Sequence, residues 1–152
     1  SQTQPRLLNA ACLLSDISWS VHTELRAEHA MKRILHAPFV GIDHPGRAFV
    51  ALAVACRYGA TNSSRYMAQA LGLLDSEGQA LARRLGHALR LGYTLSGGSS
   101  GILPKTRFSI TETGLTLLLT TEAAPFAGEK VKRRLAALAS IMGRTPNLVL
   151  EG

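Results

Sequence analysis

The chain has 152 residues, with 17 Lys and Arg against 10 Asp and Glu, so its formal net charge is +7 at pH 7. Hydrophobic residues make up 46% and charged residues 18%. This composition excludes a disordered basic tail, which lacks the apolar surface to offset the chain entropy lost on folding. A chain of this length buries about 70% of its unfolded surface, enough for one domain or two small ones. Most of the cations are Arg, whose forked guanidinium suits phosphate or carboxylate, so the composition favours an anionic partner.

The sequence lacks a predicted membrane span and a predicted signal peptide. Its longest apolar run, residues 49–56, has eight residues, well short of the ~20 that cross a bilayer. The first residues lack a small-residue cleavage site, and the absence of an initial Met indicates a segment of a longer protein. Cys12 and Cys56 lie in apolar helical stretches without a CxxC motif. We therefore expect two buried, reduced thiols in a cytoplasmic protein.

Helical patterns dominate the first part of the chain. Apolar spacing predicts a helix over 6–19 and a second over 23–37, with Thr23 as its N-cap and a proline after its end. A third helix is predicted over 43–58, with a proline in its first turn. Its apolar residues surround the whole helix, so it should be the most buried one. A shorter helix is predicted over 64–74.

The strongest helical pattern runs from residue 76 to about residue 95. Asp75 or Ser76 can cap it, and Ser76 with Gln79 fits a capping box. One face should point to the core and the opposite face to water or an anion. The predicted core face holds Leu81, Leu85, Ala88 and Gly92, and the predicted polar face holds Arg83, His87 and Arg90.

The glycine- and serine-rich segment 96–101 marks a change in composition, and beyond it the apolar period becomes two. Strands are predicted around 107–110 and 115–119, followed by a helix over 125–142 and a short strand over 147–150. The predicted fold is therefore mainly α with a small α+β tail: a helical domain over 1–95 and a ββαβ subdomain over 96–152.

The second predicted helix carries a line of nitrogen-rich side chains. Arg26, His29, Arg33 and His36 lie on one side of it at 3.6 residues per turn. Such a line could follow the phosphates of a polyanion through forked arginine contacts. The alternative interpretation is an ordinary solvated polar face.

Other kinds of site find less support in the sequence. The glycine-rich segment does not open a helix and lacks the P-loop pattern, so it predicts a flexible link. Neither cysteine has a neighbouring base. Histidines and carboxylates that could bind a metal lack a tight ligand spacing; they are Asp16, His22, His29, Asp43 and His44.

Several segments, in order along nearly the whole chain, resemble the C-terminal region of the exopolyphosphatase/guanosine-pentaphosphate phosphohydrolase (Ppx/GppA) family, most closely its α-proteobacterial type. They are 13–19 followed by His22 and Arg26, then 41–49, 85–91, and 96–98 with 103–104. The resemblance implies an HD-phosphohydrolase-like helical domain followed by a small α+β cap. It also implies that catalytic residues and Mg²⁺ belong to an N-terminal actin-like half, which this chain does not contain. Holding long polyphosphate and forming a homodimer are the roles it implies for the C-terminal part.

The chain departs from the family pattern at the HD metal site. The His-Asp pair position reads Ser15-Asp16, and related members carry Arg-Tyr-His where this chain has residues 57–59, ending in Gly59. His29 matches a later histidine of those members. Because two ligands are missing, we expect the HD-like fold without its metal chemistry, and no cofactor in this fragment.

The resulting hypothesis is an accessory region of an exopolyphosphatase that removes terminal phosphate from inorganic polyphosphate, with pppGpp as a second candidate substrate. The fragment, inactive by itself, would bind polyphosphate and self-associate alongside the N-terminal catalytic domains. The candidate phosphate contacts are Arg26, His29, Arg33, Arg47, Arg83 and Arg90. A stand-alone metal-dependent HD-type phosphohydrolase, using Asp16, His29 and Asp43, is the alternative. No nucleic-acid partner is expected, because only 5% of residues are aromatic and none is interleaved with the basic stripes.

Overall fold

Six α-helices and a three-stranded sheet make up residues 3–151, the part of the chain that the computed structural model describes. The sheet lies at the C-terminal end, so the prediction of a mainly α fold with a small α+β tail is confirmed. The chain divides into two compact units, one ending at Leu89 and the other starting at Arg90. This division falls inside a helix, whereas the composition changes only at residue 96. The likeness of the helical part to HD phosphohydrolases stays a prediction.

The first unit contains most of the helices. Their bounds are α1 Thr3–Leu14, α2 Arg26–His36, α3 His44–Arg57, α4 Ala68–Gly72 and α5 Ser76–Ser96, and α5 continues into the second unit. Two 3₁₀ turns, Thr23–Leu25 and Arg65–Met67, lead into α2 and α4. No helix within residues 3–151 is both long and apolar enough to cross a membrane.

Helix α1 ends earlier than the pattern over 6–19 predicts. The Ser15 hydroxyl donates to the Cys12 carbonyl at 2.6 Å, and residues 15–20 form successive turns. Serine and aspartate side chains compete with the helix for backbone groups, which explains the early end. The expectation of two buried thiols is half wrong: Cys56 is buried, but Cys12 is exposed because α1 buries the side that holds Ala11.

Helix α3 forms the centre of the first unit, as its composition predicts. The Asp43 carboxylate caps it by accepting the Gly46 N–H at 2.8 Å, and Pro45 lies in its first turn. Between Gly46 and Cys56, every residue except Arg47 is buried. The helix packs against α1, α2 and α4.

Helix α5 is capped differently from its predicted capping box. The Asp75 carboxylate accepts the Gly78 N–H at 2.7 Å, so Asp75 is the N-cap. The Gln79 amide instead donates to carbonyls in the preceding turn, those of Leu71 at 3.0 Å and Leu74 at 3.1 Å. The capping box is therefore wrong, although the helix itself is confirmed.

The core face of α5 also differs from the predicted one. Ala82 and Gly86 are buried, while Leu81 and Leu85 are partly buried at the margin of the core. At Gly86, an ideal Cβ would lie 2.5 Å from the Ala53 carbonyl oxygen of α3. Because helix separation depends on the side chains at the contact, the smallest residues, and not the leucines, mark the line of contact.

The second unit forms the predicted ββαβ arrangement. Strand β1 (Thr106–Ile110) pairs antiparallel with β2 (Gly114–Thr120), which pairs parallel with β3 (Thr145–Glu151). Helix α6 (Glu129–Ile141) connects the two parallel strands. Alternate residues of β2 are buried, as are the residues of one stripe of α6. These core residues are Leu115, Leu117, Leu119, Val131, Leu135 and Leu138.

Candidate functional site

The line of nitrogen-rich side chains on α2 divides into two pairs with different surroundings. Arg26 and His29 turn toward the segment that follows α1: the Arg26 Nε donates to the Val21 carbonyl at 2.8 Å, and the His29 Nδ1 lies 2.8 Å from the Ser18 hydroxyl. Arg33 and His36 are exposed. The opposite side of α2 is buried, as its pattern predicts. Only the second half of the line therefore presents its side chains fully to solvent.

His29 belongs to a polar cluster that joins the turns after α1 to α2 and α3. This turn cluster consists of Asp16, Ser18, His29, Arg57 and Tyr58. The Ser18 N–H donates to the Tyr58 hydroxyl at 3.1 Å, and the Arg57 guanidinium lies 3.3 Å from the Asp16 carboxylate. The same guanidinium lies 4.3 Å from the centre of the Tyr58 ring, a cation–π contact. Burial raises the pKa of the Tyr58 hydroxyl above its usual value, while the Ser18 N–H and the Arg57 charge act in the opposite direction.

The turn cluster has a structural role: its hydrogen bonds hold the turns after α1 against α2 and α3. A serine beside a histidine could form a nucleophile and its base, but Ser18 is fully buried and its hydroxyl faces only the interior. The cluster instead satisfies polar groups in a segment without regular structure, as buried polar groups require. The role of Ser18 could not be predicted from the sequence, because its partner Tyr58 lies 40 positions away and no local pattern links the two.

Arg47, a candidate phosphate contact, has a structural partner. Its Nη1 donates to the Ala37 carbonyl at 3.0 Å, at the residue that ends α2. A guanidinium in this position satisfies a carbonyl at the helix end and offsets the negative end of the helix dipole. On α5, Arg83 and Arg90 are half-buried and lie in different compact units. Arg26, His29 and Arg33 are on α2, Arg47 is on α3, and Arg83 and Arg90 are on α5. Their roles in phosphate binding stay a prediction.

The residues of the proposed HD-type metal site are engaged separately. Asp43 caps α3, Asp16 pairs with Arg57, and His29 contacts Ser18. Within residues 3–151, no three or more His, Cys, Asp or Glu side chains are grouped so that they could hold a metal ion. The described residues therefore do not offer the set of oxygen ligands that Mg²⁺ prefers.

The comparison with protein families identifies the family of the chain. The model of the family described as "Exopolyphosphatase, C-terminal" matches residues 1–149. The chain belongs to this family. A search of the curated proteins found no match to the chain. The exopolyphosphatase C-terminal match extends over both compact units, so the helical part and the ββαβ part are one family module.

Within this exopolyphosphatase C-terminal module, the exposed basic side chains of the first unit are distributed unevenly. Helix α2 alone contributes Lys32, Arg33 and His36, all in its C-terminal half. Arg65, which opens the 3₁₀ turn before α4, is also exposed. Neither Lys32 nor Arg65 lies on the line that helical spacing predicts for α2.

Proposed function

We propose that this chain is the polyphosphate-binding accessory region of an exopolyphosphatase. Removal of terminal phosphate, with Mg²⁺ as cofactor, would take place in N-terminal catalytic domains of the same cytoplasmic enzyme, with pppGpp as a second candidate substrate. The observation that carries the proposal is the group of exposed basic side chains on α2, in a chain of the exopolyphosphatase C-terminal family with a net charge of +7.

Electrostatics explains how such a surface would work. Polyphosphate is a linear polyanion with condensed counterions, and cations that contact its phosphates release those counterions. Arg33 can make forked contacts with phosphate oxygens because its side chain is exposed and forms no hydrogen bond or ion pair with the residues that the structure describes. Arg26 and Arg47 would contribute mainly by positioning the backbone of α2, since their guanidinium groups already donate to carbonyls.

Calorimetric titration of the 152-residue chain with long-chain polyphosphate tests this proposal. We expect binding that weakens steeply as salt increases, and we expect Arg33→Ala to reduce the slope of log affinity against log salt by about 0.7–1. Orthophosphate and sulfate serve as controls for simple ion binding. Polyphosphate affinity no higher than that of sulfate at low salt would refute the role.

Self-association is the second role that we propose, and the sheet of the second unit supports it. Strand β1 is at the sheet edge, so its outer N–H and C=O groups can pair with another strand. Phe108 and Ile110 lie opposite buried residues of β2, yet they are 45% and 55% exposed. Two copies of β1 could pair antiparallel about a two-fold axis, which buries both side chains.

Sedimentation equilibrium of a double variant, Phe108→Thr with Ile110→Thr, tests whether two chains associate through the edge strand β1. Threonine retains strand propensity, so we expect a folded chain that associates at least tenfold more weakly. Leu13→Thr removes an exposed apolar side chain outside the sheet and should leave association unchanged. A wild-type chain that stays monomeric throughout the concentration series, or a double variant that associates normally, contradicts this role.

A further inference from the structure

A groove of about 380 Å³ lies between α2 and the segment made of the Arg65–Met67 turn and α4. Its α2 wall carries Lys32 and His36, which are one helical turn apart, and its other wall carries Arg65. None of these three residues is among the six phosphate contacts predicted from the sequence, although His36 ends the line on α2.

The polar groups that line the groove are suited to an anion. Beside the basic side chains of the two walls, Tyr66 and Gln69 bring a hydroxyl and an amide to the lining, and none of the described residues that line the groove is a carboxylate. Glu28 pairs with Lys32 at 2.5 Å, but it does so along α2 and does not line the groove. The lining itself therefore offers donors and positive charge, and at Lys32 a bound phosphate would compete with Glu28.

The apolar part of the lining strengthens this effect. Met31 is fully buried and Leu35 is partly buried within the core cluster. Walls of low dielectric focus the field of charges of one sign into a cleft. Charges also attract each other more strongly near such walls, because less water lies between them to screen the interaction. A phosphate in the groove is thus attracted more strongly than by the same cations on a flat face.

The end of α2 would oppose an anion if it were left uncapped, because a helix C-terminus carries a partial negative charge. Arg47 donates to the Ala37 carbonyl at this end and brings a positive charge to it. The position of Arg47 therefore favours an anion in the groove indirectly, without contact with it.

We propose that this groove, with Arg65, His36 and Lys32 as its phosphate contacts, is where the module holds a segment of the inorganic polyphosphate chain. Arg65 supplies the forked contact. Arg33, three positions before His36 on α2, continues the positive surface beyond the groove. The inference rests on the proposed function, and it adds a location and residues that the line on α2 did not predict.

Titration of the 152-residue chain with long-chain polyphosphate separates this inference from the proposed function. Arg65→Ala should weaken binding roughly tenfold, as expected for one charge-assisted contact, and lower the salt slope by about 0.7–1. Arg65→Lys keeps the charge without the fork and should lose less. Arg133→Ala, which removes an exposed cation from α6 in the second unit, is the matched control and should bind like the wild type.

The outcomes are distinguishable. If wild-type protein does not bind polyphosphate, the proposed function fails and the inference fails with it. If Arg65→Ala binds polyphosphate like Arg133→Ala while Arg33→Ala binds weakly, the proposed function stands, but the groove is not the binding site. Tripolyphosphate should displace the long chain better than ATP does, because the groove recognises phosphates alone. The reverse order would overturn polyphosphate as the ligand in favour of a nucleotide.

Discussion

Gly86→Ala is expected to lower the free energy of unfolding by about 3 kcal/mol, at the upper end of the range for overpacked sites. A Cβ at this position would lie 2.4 Å from the Cys56 Cβ and 2.5 Å from the Ala53 carbonyl oxygen. The carbonyl oxygen belongs to the backbone of α3, so no rotamer change relieves the clash. Helices α3 and α5 would have to separate, and the contact that joins α5 to the central helix would loosen.

Urea unfolding followed by circular dichroism measures this effect, and Gly92→Ala in the same helix is the control. At Gly92 the nearest atom to an added Cβ is the Leu103 Cδ2 at 3.9 Å, an ordinary contact. Alanine in a helix interior is more favourable than glycine by about 0.5–1 kcal/mol, so this variant should gain stability. Similar effects of the two substitutions would show that α5 does not approach α3 closely at Gly86.

The contrast between these glycines shows what sequence periodicity can predict in this fold. The pattern identifies α5 and its approximate ends, because propensity and the apolar period agree along it. It places the core face at Leu81 and Leu85, because periodicity weights bulky apolar residues. The closest approach instead occurs at Gly86, and only the position of α3 reveals that a side chain has no room there.

Elements with local determinants are the ones that the sequence predicts well. Helix α3 is apolar on all sides and has its cap and proline in sequence. The hairpin of β1 and β2 follows from a period of two around Gly114. The end of α1 is harder to predict, because it depends on hydrogen bonds of two serine side chains. Ser15 bonds to the Cys12 carbonyl, and Ser18 bonds to the distant His29.

The candidate site shows the same limit. Helical spacing correctly places Arg26, His29 and Arg33 on the polar side of α2, but it cannot show which of them meet a partner. The partners of the first two lie in turns without a periodic pattern. Arg33 lies on the same side of α2, one to two helical turns further along the helix, and is exposed. Arg65 lines the groove because the Arg65–Met67 turn packs against α2.

Tyr58→Phe should lower the free energy of unfolding by about 2 kcal/mol, because it leaves a buried donor without its acceptor. The Ser18 N–H, in a fully buried residue, donates to the hydroxyl that this substitution removes. The phenylalanine ring keeps the volume and the face that contacts Arg57, so packing changes little. Tyr66→Phe removes a hydroxyl from a half-buried tyrosine of the same unit and should change stability by less than about 0.5 kcal/mol.

The pH dependence of the same variant gives an independent test of the turn cluster. Burial raises the pKa of Tyr58 in the folded state, so the folded protein holds this proton more tightly than the unfolded chain, whose tyrosines titrate near pH 10. The stability that the neutral hydroxyl provides is complete below that pH and is lost as the pH rises through the folded-state pKa. The stability difference between wild type and Tyr58→Phe should therefore narrow as the pH rises above about 10. A difference that stays constant above this pH would mean that the hydroxyl ionises equally readily in both states, contrary to the effect of burial on Tyr58.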